Sequence, residues 1–527
     1  MIGKLVVLGI DGADWGILQA LMDEGHLGNF RRVMENGSYG KLRSTIPSVT
    51  PPAWTSMFTG VNPGKHGLGG FLREEKGNPI PLITTSRQNL APYVWELMES
   101  KTILVFNVPF TYPPRGGANA LIVSGLGTPS VNSEFTLPKE LKGELLAVSP
   151  NYALGAPAEA APLVFSDNKA KTKSEMQERM GIAVLADMKA RQKAMLHFLE
   201  KKEWDAAILA FSETDWLQHE MLSEFCKSGK KAATPIGQAY LLLDGFLGYL
   251  IEKQHNVIIT SDHGFQELKQ KLFLNTHLAR KGLLVLRKRG LPRRITTEFL
   301  AFCRKCILMA VPMVPAPALR SIRRFQSIVG ISKAIRRGQR CLGAQDIDYD
   351  NTTAVFLGRE RLTIHAGITL TKSSGFEELE QALMDCRDEE GRKLIKAVVK
   401  KEDIYSGSEA TRVPDVFAIP ESGVGITAKF GPNAVERLVH GGSGHAYNGI
   451  FLAYGPDLKR KGELKDLSVM DIAPTMLSFF GYALPKYMDG RCIPVVETVK
   501  GGKNTLAAET RARLRALRSR NELFGKK

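Results

Sequence analysis

The sequence predicts an α/β fold with a mostly parallel central sheet that is covered by helices on both faces. Short, continuously apolar runs alternate along the chain with longer segments of helical periodicity. Such runs are typical of strands that are buried on both faces, as they are in parallel sheets. With 527 residues, of which 43% are hydrophobic, the chain can bury a large core. This composition excludes a chain that is disordered over most of its length.

The predicted strands and helices follow one another in the order that such a sheet requires. Six apolar runs are predicted to be strands of the main sheet: residues 5–10, 102–106, 120–123, 206–210, 257–260 and 449–453. Helical patterns are clearest in residues 172–201 and 240–253. A later region has a mixed α+β pattern, with a charged helix predicted over residues 376–400 and strands near residues 353–357, 362–370 and 416–420.

These patterns divide the chain into a core that is interrupted by insertions. We expect the first part of the core in residues 1–286 and the second part in residues 430–500. Between them we expect a basic and apolar helical insertion over residues 287–350, followed by an α+β cap over residues 351–429. A basic tail is expected over residues 501–527.

The net charge of +17 is concentrated in two segments. Residues 287–340 contain 14 Lys and Arg with one acidic residue, and residues 500–527 contain nine Lys and Arg with two acidic residues. The rest of the chain is nearly neutral, so we expect no nucleic-acid partner. The basic and apolar residues of 287–340 fit either peripheral contact with an anionic membrane or a helical lid with a solvated basic face.

The cysteines and the first strand bear on the compartment. Six cysteines are sparse and have no disulfide-like spacing, which favours reduced thiols. No apolar leader precedes the first strand, which begins at residue 5. We therefore expect a cytoplasmic protein, and the membrane alternative would place it on the inner face of the membrane.

Residues that can bind a metal or a phosphate follow the predicted strands, where ligands of open α/β sheets usually bind. Asp11 follows the first strand, although it could instead cap the next helix. Thr50 precedes two prolines and an apolar helical pattern. Its hydroxyl could cap that helix or meet an anion at the helix N-terminus, and the two roles are compatible.

Aspartate and histidine recur at the ends of later strands. Asp215 and His219 are four residues apart, so on a helix they would share a face and could bind a metal or form a surface hydrogen bond. Asp262 and His263 directly follow a buried strand, which favours a functional site over a packed histidine. His445 precedes the last strand. With Asp11 and Thr50 these residues suffice for two divalent metals that share a nucleophile, but spacing alone does not assign ligands to each ion.

The order of these motifs resembles the alkaline phosphatase superfamily, and most closely its type I phosphodiesterase/nucleotide pyrophosphatase branch. Within that branch the chain is similar to the prokaryotic predicted phosphohydrolase or phosphomutase group. The stretches that carry this narrower resemblance are residues 50–67, which include Thr-Gly-x-x-Pro-x-x-His-Gly, residues 107–114 and residues 471–475. The resemblance covers residues 3 to about 497 and is weakest over 287–350.

The resemblance implies an alkaline-phosphatase-like three-layer sandwich and a metal-dependent phosphohydrolase, with phosphodiester hydrolysis as the first expectation. It implies that Thr50 is the nucleophile, forms a phospho-threonine intermediate and bridges two metal ions. One ion would be held by Asp11, Asp262 and His263, and the other by Asp215, His219 and His445. Zinc is the usual metal of the superfamily, and manganese is the alternative because carboxylate ligands also suit harder ions.

This chain lacks one residue that the nucleotide pyrophosphatases carry. They carry an Asn shortly after the nucleophilic Thr that supports a phosphoryl oxygen, but no Asn lies between Thr50 and Thr59. This departure weakens the expectation of a nucleotide substrate, since such a donor contributes a few kcal/mol to transition-state stabilisation. Lys65, Asn107 and Tyr112 are the candidates to replace it or to contact the substrate.

Several alternatives therefore stay open for the reaction. Phosphomonoesterase, phosphomutase and phosphonate hydrolase activities occur in the same superfamily. The substrate would be a phosphate-ester small molecule or a lipid-linked phosphate ester. A sulfatase is excluded because Thr50 and the residues after it lack the Cys/Ser-x-Pro-x-Arg motif. A non-catalytic protein that binds phosphate or a lipid surface would be expected to lack some ligands, yet all seven are present.

Overall fold

The computed structural model describes residues 2–75, 78–155, 173–287, 344–358 and 362–496. Most of the insertion predicted over residues 287–350 and the whole tail predicted over residues 501–527 lie outside these ranges. Within them, no helix is long and apolar enough to cross a bilayer.

The described residues form eighteen strands and thirteen helices. The strands are β1 (Leu5–Ile10), β2 (Ser38–Arg43), β3 (Leu72–Glu75), β4 (Asn78–Ile83), β5 (Ile103–Phe106), β6 (Ala120–Val123), β7 (Thr136–Leu137), β8 (Ala206–Phe211), β9 (Asn256–Thr260), β10 (Gly264–Phe273), β11 (Ala354–Phe356), β12 (Ala366–Leu370), β13 (Ile395–Lys400), β14 (Val416–Pro420), β15 (Val424–Thr427), β16 (Val435–Ala446), β17 (Asn448–Tyr454) and β18 (Gly462–Ser468). The helices are α1 (Trp15–Asp23), α2 (Gly28–Asn36), α3 (Thr50–Thr59), α4 (Pro63–His66), α5 (Val94–Leu97), α6 (Leu141–Val148), α7 (Lys173–Lys201), α8 (Glu213–Lys227), α9 (Pro235–Glu252), α10 (Leu274–Arg280), α11 (Phe376–Met384), α12 (Lys401–Ile404) and α13 (Ile472–Phe479).

Nine strands form the main sheet in the order β18-β2-β17-β9-β1-β8-β5-β6-β7. The five strands from β9 to β6 run parallel, whereas β17 and β7 pair antiparallel with their inner neighbours. The predicted mostly parallel sheet is therefore confirmed. Because Ile10 lies opposite Phe211 and Gly9 lies opposite Thr260, the residues that follow β1, β8 and β9 emerge side by side at one edge.

Helices cover both faces of the main sheet because the side chains of its strands alternate between two apolar cores. Along β1, Val6, Leu8 and Ile10 face the core formed with α1, α2, α7, α8 and α9. Leu5 and Val7 face the opposite core, formed with α3, α5 and α13. The main sheet is thus the middle layer of a three-layer sandwich, as predicted.

Strands β3 and β4 form a two-stranded sheet, and two larger sheets also accompany the main sheet. Strands β15, β10 and β16 form one of them, and β10 starts directly after the strand-end residues of β9. The other has the order β11-β12-β14-β13 and is called here the four-stranded sheet. It packs with α10 and α11 around a third apolar core.

The charged helix predicted over residues 376–400 is wrong in its second half. Helix α11 ends at Met384, and β13 occupies Ile395–Lys400. Between them, Asp388 Oδ1 accepts hydrogen bonds from the backbone N–H groups of Glu390 and Arg392. Gly391 has a φ of +79°, which a helix does not tolerate. This turn reverses the chain, so the charged residues after it belong to a turn and a strand.

Candidate active site

Thr50 is the first residue of α3 and is buried. Val49 is the N-cap, with extended backbone and no side-chain capping hydrogen bond, so the Thr50 hydroxyl does not cap the helix. Pro51 and Pro52 follow at the positions that favour proline because no N–H is required there. Thr50 therefore occupies the first helical position and not the N-cap.

Asp11, Asp262 and His263 form the first cluster, directly after the adjacent strands β1 and β9. All three side chains are buried. His263 Nε2 lies 3.6 Å from Asp11 Oδ1 and 3.1 Å from Asp262 Oδ2. None of these three atoms makes a hydrogen bond. Buried polar atoms that face one another without hydrogen bonds are costly unless a cation joins them, so this group could hold a metal ion.

Asp215, His219 and His445 form the second cluster. The first two are one turn apart on α8, as their spacing predicts, and His445 is the penultimate residue of β16. Asp215 Oδ1 lies 3.5 Å from His219 Nε2 and 3.4 Å from His445 Nε2, and the two Nε2 atoms are 3.0 Å apart. This group could also hold a metal ion. The His219 side chain is 41% exposed, so this cluster lies on the solvent side of the site.

The two clusters adjoin each other. The imidazole rings of His263 and His445 stack with centroids 3.6 Å apart and planes inclined by 16°. Phe265 packs edge-on against His219 and His445, with centroids 4.8 and 5.2 Å away. β10 pairs with β16 so that Phe265 lies opposite His445, and this pairing brings the last histidine beside the strand-end residues of β9. The site is therefore one continuous group of six potential ligands.

Contacts on either side of Thr50 place α3 against both clusters. Trp54, one turn into the helix, donates from Nε1 to Asp11 Oδ2 at 3.1 Å. Ser48, two residues before the helix, accepts at its carbonyl a hydrogen bond from His445 Nδ1 at 2.8 Å. That bond leaves His445 Nε2 with the lone pair that a metal ligand needs. Thr50 thus lies between a contact to the first cluster and a contact to the second.

Burial sets the electrostatics of the site. Burial raises the pKa of Asp11, and the nearby Asp262 carboxylate raises it further. Burial also raises the pKa of Asp262 to about 7. For Asp215 burial acts in the same direction, but His219 and His445 outweigh it and hold the pKa of this carboxyl below its usual range. Burial lowers the pKa of His263 well below its usual value. The first cluster thus resists gathering negative charge on its own, and a bound cation would remove that cost.

The three predicted substrate contacts have other partners in the structure. Lys65 pairs with Asp489. Asn107 donates from Nδ2 to the carbonyl of Ala210 at 2.8 Å. Tyr112 is half-buried and packs against the core on one face of the main sheet. The structure joins none of them to either cluster through these contacts, so their role as substrate contacts stays a prediction.

One residue beside the site was not found from the sequence. His365 directly precedes β12 of the four-stranded sheet, and its Nδ1 lies 3.2 Å from the backbone nitrogen of Ser48. Burial lowers the pKa of His365 to about 3, so the ring is neutral. The residue lies in a region with an ordinary strand pattern, 317 residues from its partner, and no spacing signal could have identified it.

Comparisons with known proteins agree with this fold. The family model for type I phosphodiesterase/nucleotide pyrophosphatase matches residues 5–315. No curated protein matches the sequence. Phosphonoacetate hydrolase from Sinorhizobium meliloti 1021, in complex with phosphonoformate, is a similar solved structure, with 13% identity, 91% of this chain and 95% of that chain covered, and a TM-score of 0.52.

Two ectonucleotide pyrophosphatase/phosphodiesterase 5 structures are also similar. The murine protein has 15% identity, covers 92% of this chain and 96% of its own, and gives a TM-score of 0.45. The human protein has 14% identity, covers 92% and 97%, and gives a TM-score of 0.46. At such identities the likeness to the hydrolase of S. meliloti concerns the fold alone, and it agrees with an alkaline-phosphatase-like sandwich. The family match covers more than half of the chain, and the chain therefore belongs to the type I phosphodiesterase/nucleotide pyrophosphatase family.

Proposed function

We propose that this protein is a metal-dependent phosphodiesterase that acts through a phospho-threonine intermediate on Thr50. The observation that carries the proposal is the pair of adjoining ligand clusters, which contact Ser48 and Trp54 on either side of Thr50. Family membership supports the hydrolysis of phosphate esters by metal-dependent chemistry. The diester substrate and the roles of individual residues are proposed from the site.

Two divalent ions fit the residues that are present. Asp11, Asp262 and His263 would hold one ion, because their facing atoms are buried and lack hydrogen bonds. Asp215, His219 and His445 would hold the other. We propose zinc, which suits mixed carboxylate and imidazole ligands, and manganese is the alternative. When bound, the ions would polarise the phosphoryl oxygens and favour the alkoxide form of Thr50, which is the proposed shared ligand of both ions.

The proposed reaction has two steps. The Thr50 oxygen attacks phosphorus, its P–O bond forms, and the P–O bond to one ester group breaks, so that one alcohol leaves with the proton of the threonine hydroxyl. A water then attacks the same phosphorus, the P–O bond to Thr50 breaks, and a proton of the water restores the threonine hydroxyl, so the product is a phosphate monoester. Trp54 and Ser48 hold the helix start in place during both steps, because their contacts lie on either side of Thr50.

The proposed substrate is a small or lipid-linked phosphodiester. Ala53 lies early on the helix, where the nucleotide pyrophosphatases would be expected to carry the Asn that supports a phosphoryl oxygen. A nucleotide is therefore the less favoured substrate. The described cysteines Cys226, Cys386 and Cys492 are free thiols, which suits a cytoplasmic location. Peripheral membrane contact through residues 287–340 stays a prediction from their charge. Liposome sedimentation of the full chain and of a chain lacking this segment tests it, and equal binding by both would contradict it.

A metal-by-substrate screen of the full-length protein tests the proposed function. After treatment with a chelator, the protein is assayed with zinc, manganese or neither, using bis(p-nitrophenyl) phosphate, p-nitrophenyl phosphate and phosphonoacetate. We expect the diester to be the best substrate and activity to require metal. A better monoester or phosphonate would replace the diester assignment by the corresponding alternative.

Two threonines of the same helix provide a matched pair of variants. Thr50→Ala should lower kcat at least about 10³-fold, because the nucleophile is lost. Thr59→Ala removes an equally buried hydroxyl that only bonds the carbonyl of Thr55, and it should keep most of the activity. Equal activity of the two variants would contradict the role of Thr50.

A further inference from the structure

We propose that His365, which directly precedes β12 of the four-stranded sheet, is a positioning residue that holds the segment before Thr50 and, through Ser48, orients the proposed metal-binding nitrogen of His445. This inference rests on the proposed function, and it adds a residue and a second structural unit to the site. It gives the four-stranded sheet a part in catalysis, although none of the six clustered ligands lies on that sheet.

His365 binds one side of Ser48. The side chain is buried, and its Nδ1 accepts a hydrogen bond from the Ser48 backbone N–H at 3.2 Å. The Ser48 hydroxyl lies 3.1 Å from the same nitrogen. A ring nitrogen that accepts from a backbone N–H must carry the lone pair, so the ring proton is on Nε2. The serine is therefore fixed by a neutral histidine of defined tautomer.

His445 binds the other side of Ser48. The carbonyl of Ser48 accepts from His445 Nδ1 at 2.8 Å, which directs Nε2 toward Asp215 at 3.4 Å. Both peptide groups of Ser48 are thus held, one by the four-stranded sheet and one by the second cluster. A hydrogen bond of this kind orients a metal ligand, and its loss typically weakens metal binding about 10–100-fold. Thr50 lies only two residues further along the chain.

Two adjacent residues, Tyr405 and Ser406, secure the chain before and after α3. The Tyr405 hydroxyl donates to the carbonyl of Ile46. Beyond the helix, Asn62 Nδ2 donates to Ser406 Oγ at 3.0 Å, and the Ser406 N–H donates to Asn62 Oδ1 at 3.2 Å. These contacts hold the chain on both sides of α3. They make the start of the helix, with Thr50, dependent on groups outside the main sheet.

The competing explanation is that His365 only stabilises the fold. Three variants of the full-length protein separate the two. His365→Leu removes the acceptor, whereas His365→Asn keeps an acceptor at the δ position. His277→Leu is the matched control. His277 is also buried, donates to a carbonyl 2.8 Å away and belongs to α10, which packs with the four-stranded sheet around the third apolar core.

Zinc binding to the chelator-treated protein and steady-state kinetics with bis(p-nitrophenyl) phosphate are measured for each variant. We expect His365→Leu to weaken binding of one of two zinc ions about 10–100-fold and to lower kcat by a similar factor, with KM nearly unchanged. His365→Asn should restore both values to within about threefold. His277→Leu should lower the melting temperature alone. If His365→Leu does not fold, His365→Gln takes its place.

Three results would overturn the inference. Parental zinc affinity and kcat in His365→Leu would show that the residue positions nothing. Equal losses in His277→Leu would show that only stability is involved. Failure of His365→Asn to restore either value would exclude the hydrogen bond as the cause. A parent protein that binds zinc but hydrolyses no phosphate ester would refute the proposed function, and the zinc affinities would still test the role of His365.

Discussion

Replacing Asp262 with asparagine should stabilise the metal-free protein while abolishing its activity. Burial raises the pKa of Asp262 to about 7, so the folded protein binds the carboxyl proton of Asp262 far more tightly than the unfolded chain does. The asparagine side chain of the variant would carry no charge at any pH. Its amide could also donate to His263 Nε2, which lies 3.1 Å from the present Oδ2, while its oxygen keeps the hydrogen bond from the Gly12 N–H.

The size of the effect follows from the pKa difference. A rise of the Asp262 pKa from 3.8 to about 7 destabilises the folded state by about 4 kcal/mol at pH 8, because the folded protein must then hold the charged carboxylate. Because the folded pKa of Asp262 is raised, its stabilising contribution is complete below about pH 4 and is lost as the pH rises through about 7. The advantage of the asparagine variant should therefore grow by about 2–3 kcal/mol between pH 5 and pH 8.

Chemical unfolding of the chelator-treated proteins at pH 5 and pH 8 measures this difference. Zinc should make the parent more stable than Asp262→Asn at pH 8, because only the parent binds the metal strongly. Asp388→Asn is the contrasting control, since the pKa of Asp388 is lowered by hydrogen bonds, first of all from Gln270. Its stabilising contribution is already complete at pH 5. An Asp262→Asn variant that is less stable than the parent at pH 8 without metal, or a stability advantage that does not change with pH, would contradict a raised pKa of Asp262.

Two further substitutions test a buried ion pair at the start of α8 and a hydrogen bond to the first cluster. Arg191→Met should lower the free energy of unfolding by about 3–5 kcal/mol, because it leaves the buried Glu213 carboxylate without the guanidinium 2.6 Å away. The double variant with Glu213→Gln should recover much of this loss in chemical unfolding, and an equal loss in both would contradict the prediction. Trp54→Phe removes the N–H that donates to Asp11, so zinc titration should show about 10–100-fold weaker binding of one ion with little loss of stability. Unchanged affinity would exclude this role.

The part of the site that follows the parallel strands could be predicted from the sequence. Asp11 and Asp262 each follow a buried apolar run, and parallel strands place such residues at one edge of a sheet. Asp215 and His219 could be paired because four residues make one helical turn. In each of these cases the helical spacing or the direction of the strands is enough to predict that the residues lie together.

The contacts that depend on distant segments could not be predicted. His365 reaches Ser48 across 317 residues, and Lys65 finds Asp489 across 424 residues. Neither pair has a spacing or a composition that sets it apart from ordinary surface or strand residues. The helix predicted over residues 376–400 failed for a local reason, because the hydrogen bonds of the Asp388 side chain outweigh a favourable helical composition.

The proposed function requires that Thr50 becomes covalently bound to phosphorus during turnover. It is tested most directly by quenching the reaction with acid while the full-length protein hydrolyses bis(p-nitrophenyl) phosphate, followed by peptide mass spectrometry. The peptide that contains Thr50 should carry a nitrophenyl phosphoryl group on that residue, and the same peptide of Thr50→Ala should not. If the protein hydrolyses the diester while Thr50 stays unmodified in the quenched sample, and if the Thr50→Ala variant is equally active, a phospho-threonine intermediate on Thr50 would be contradicted.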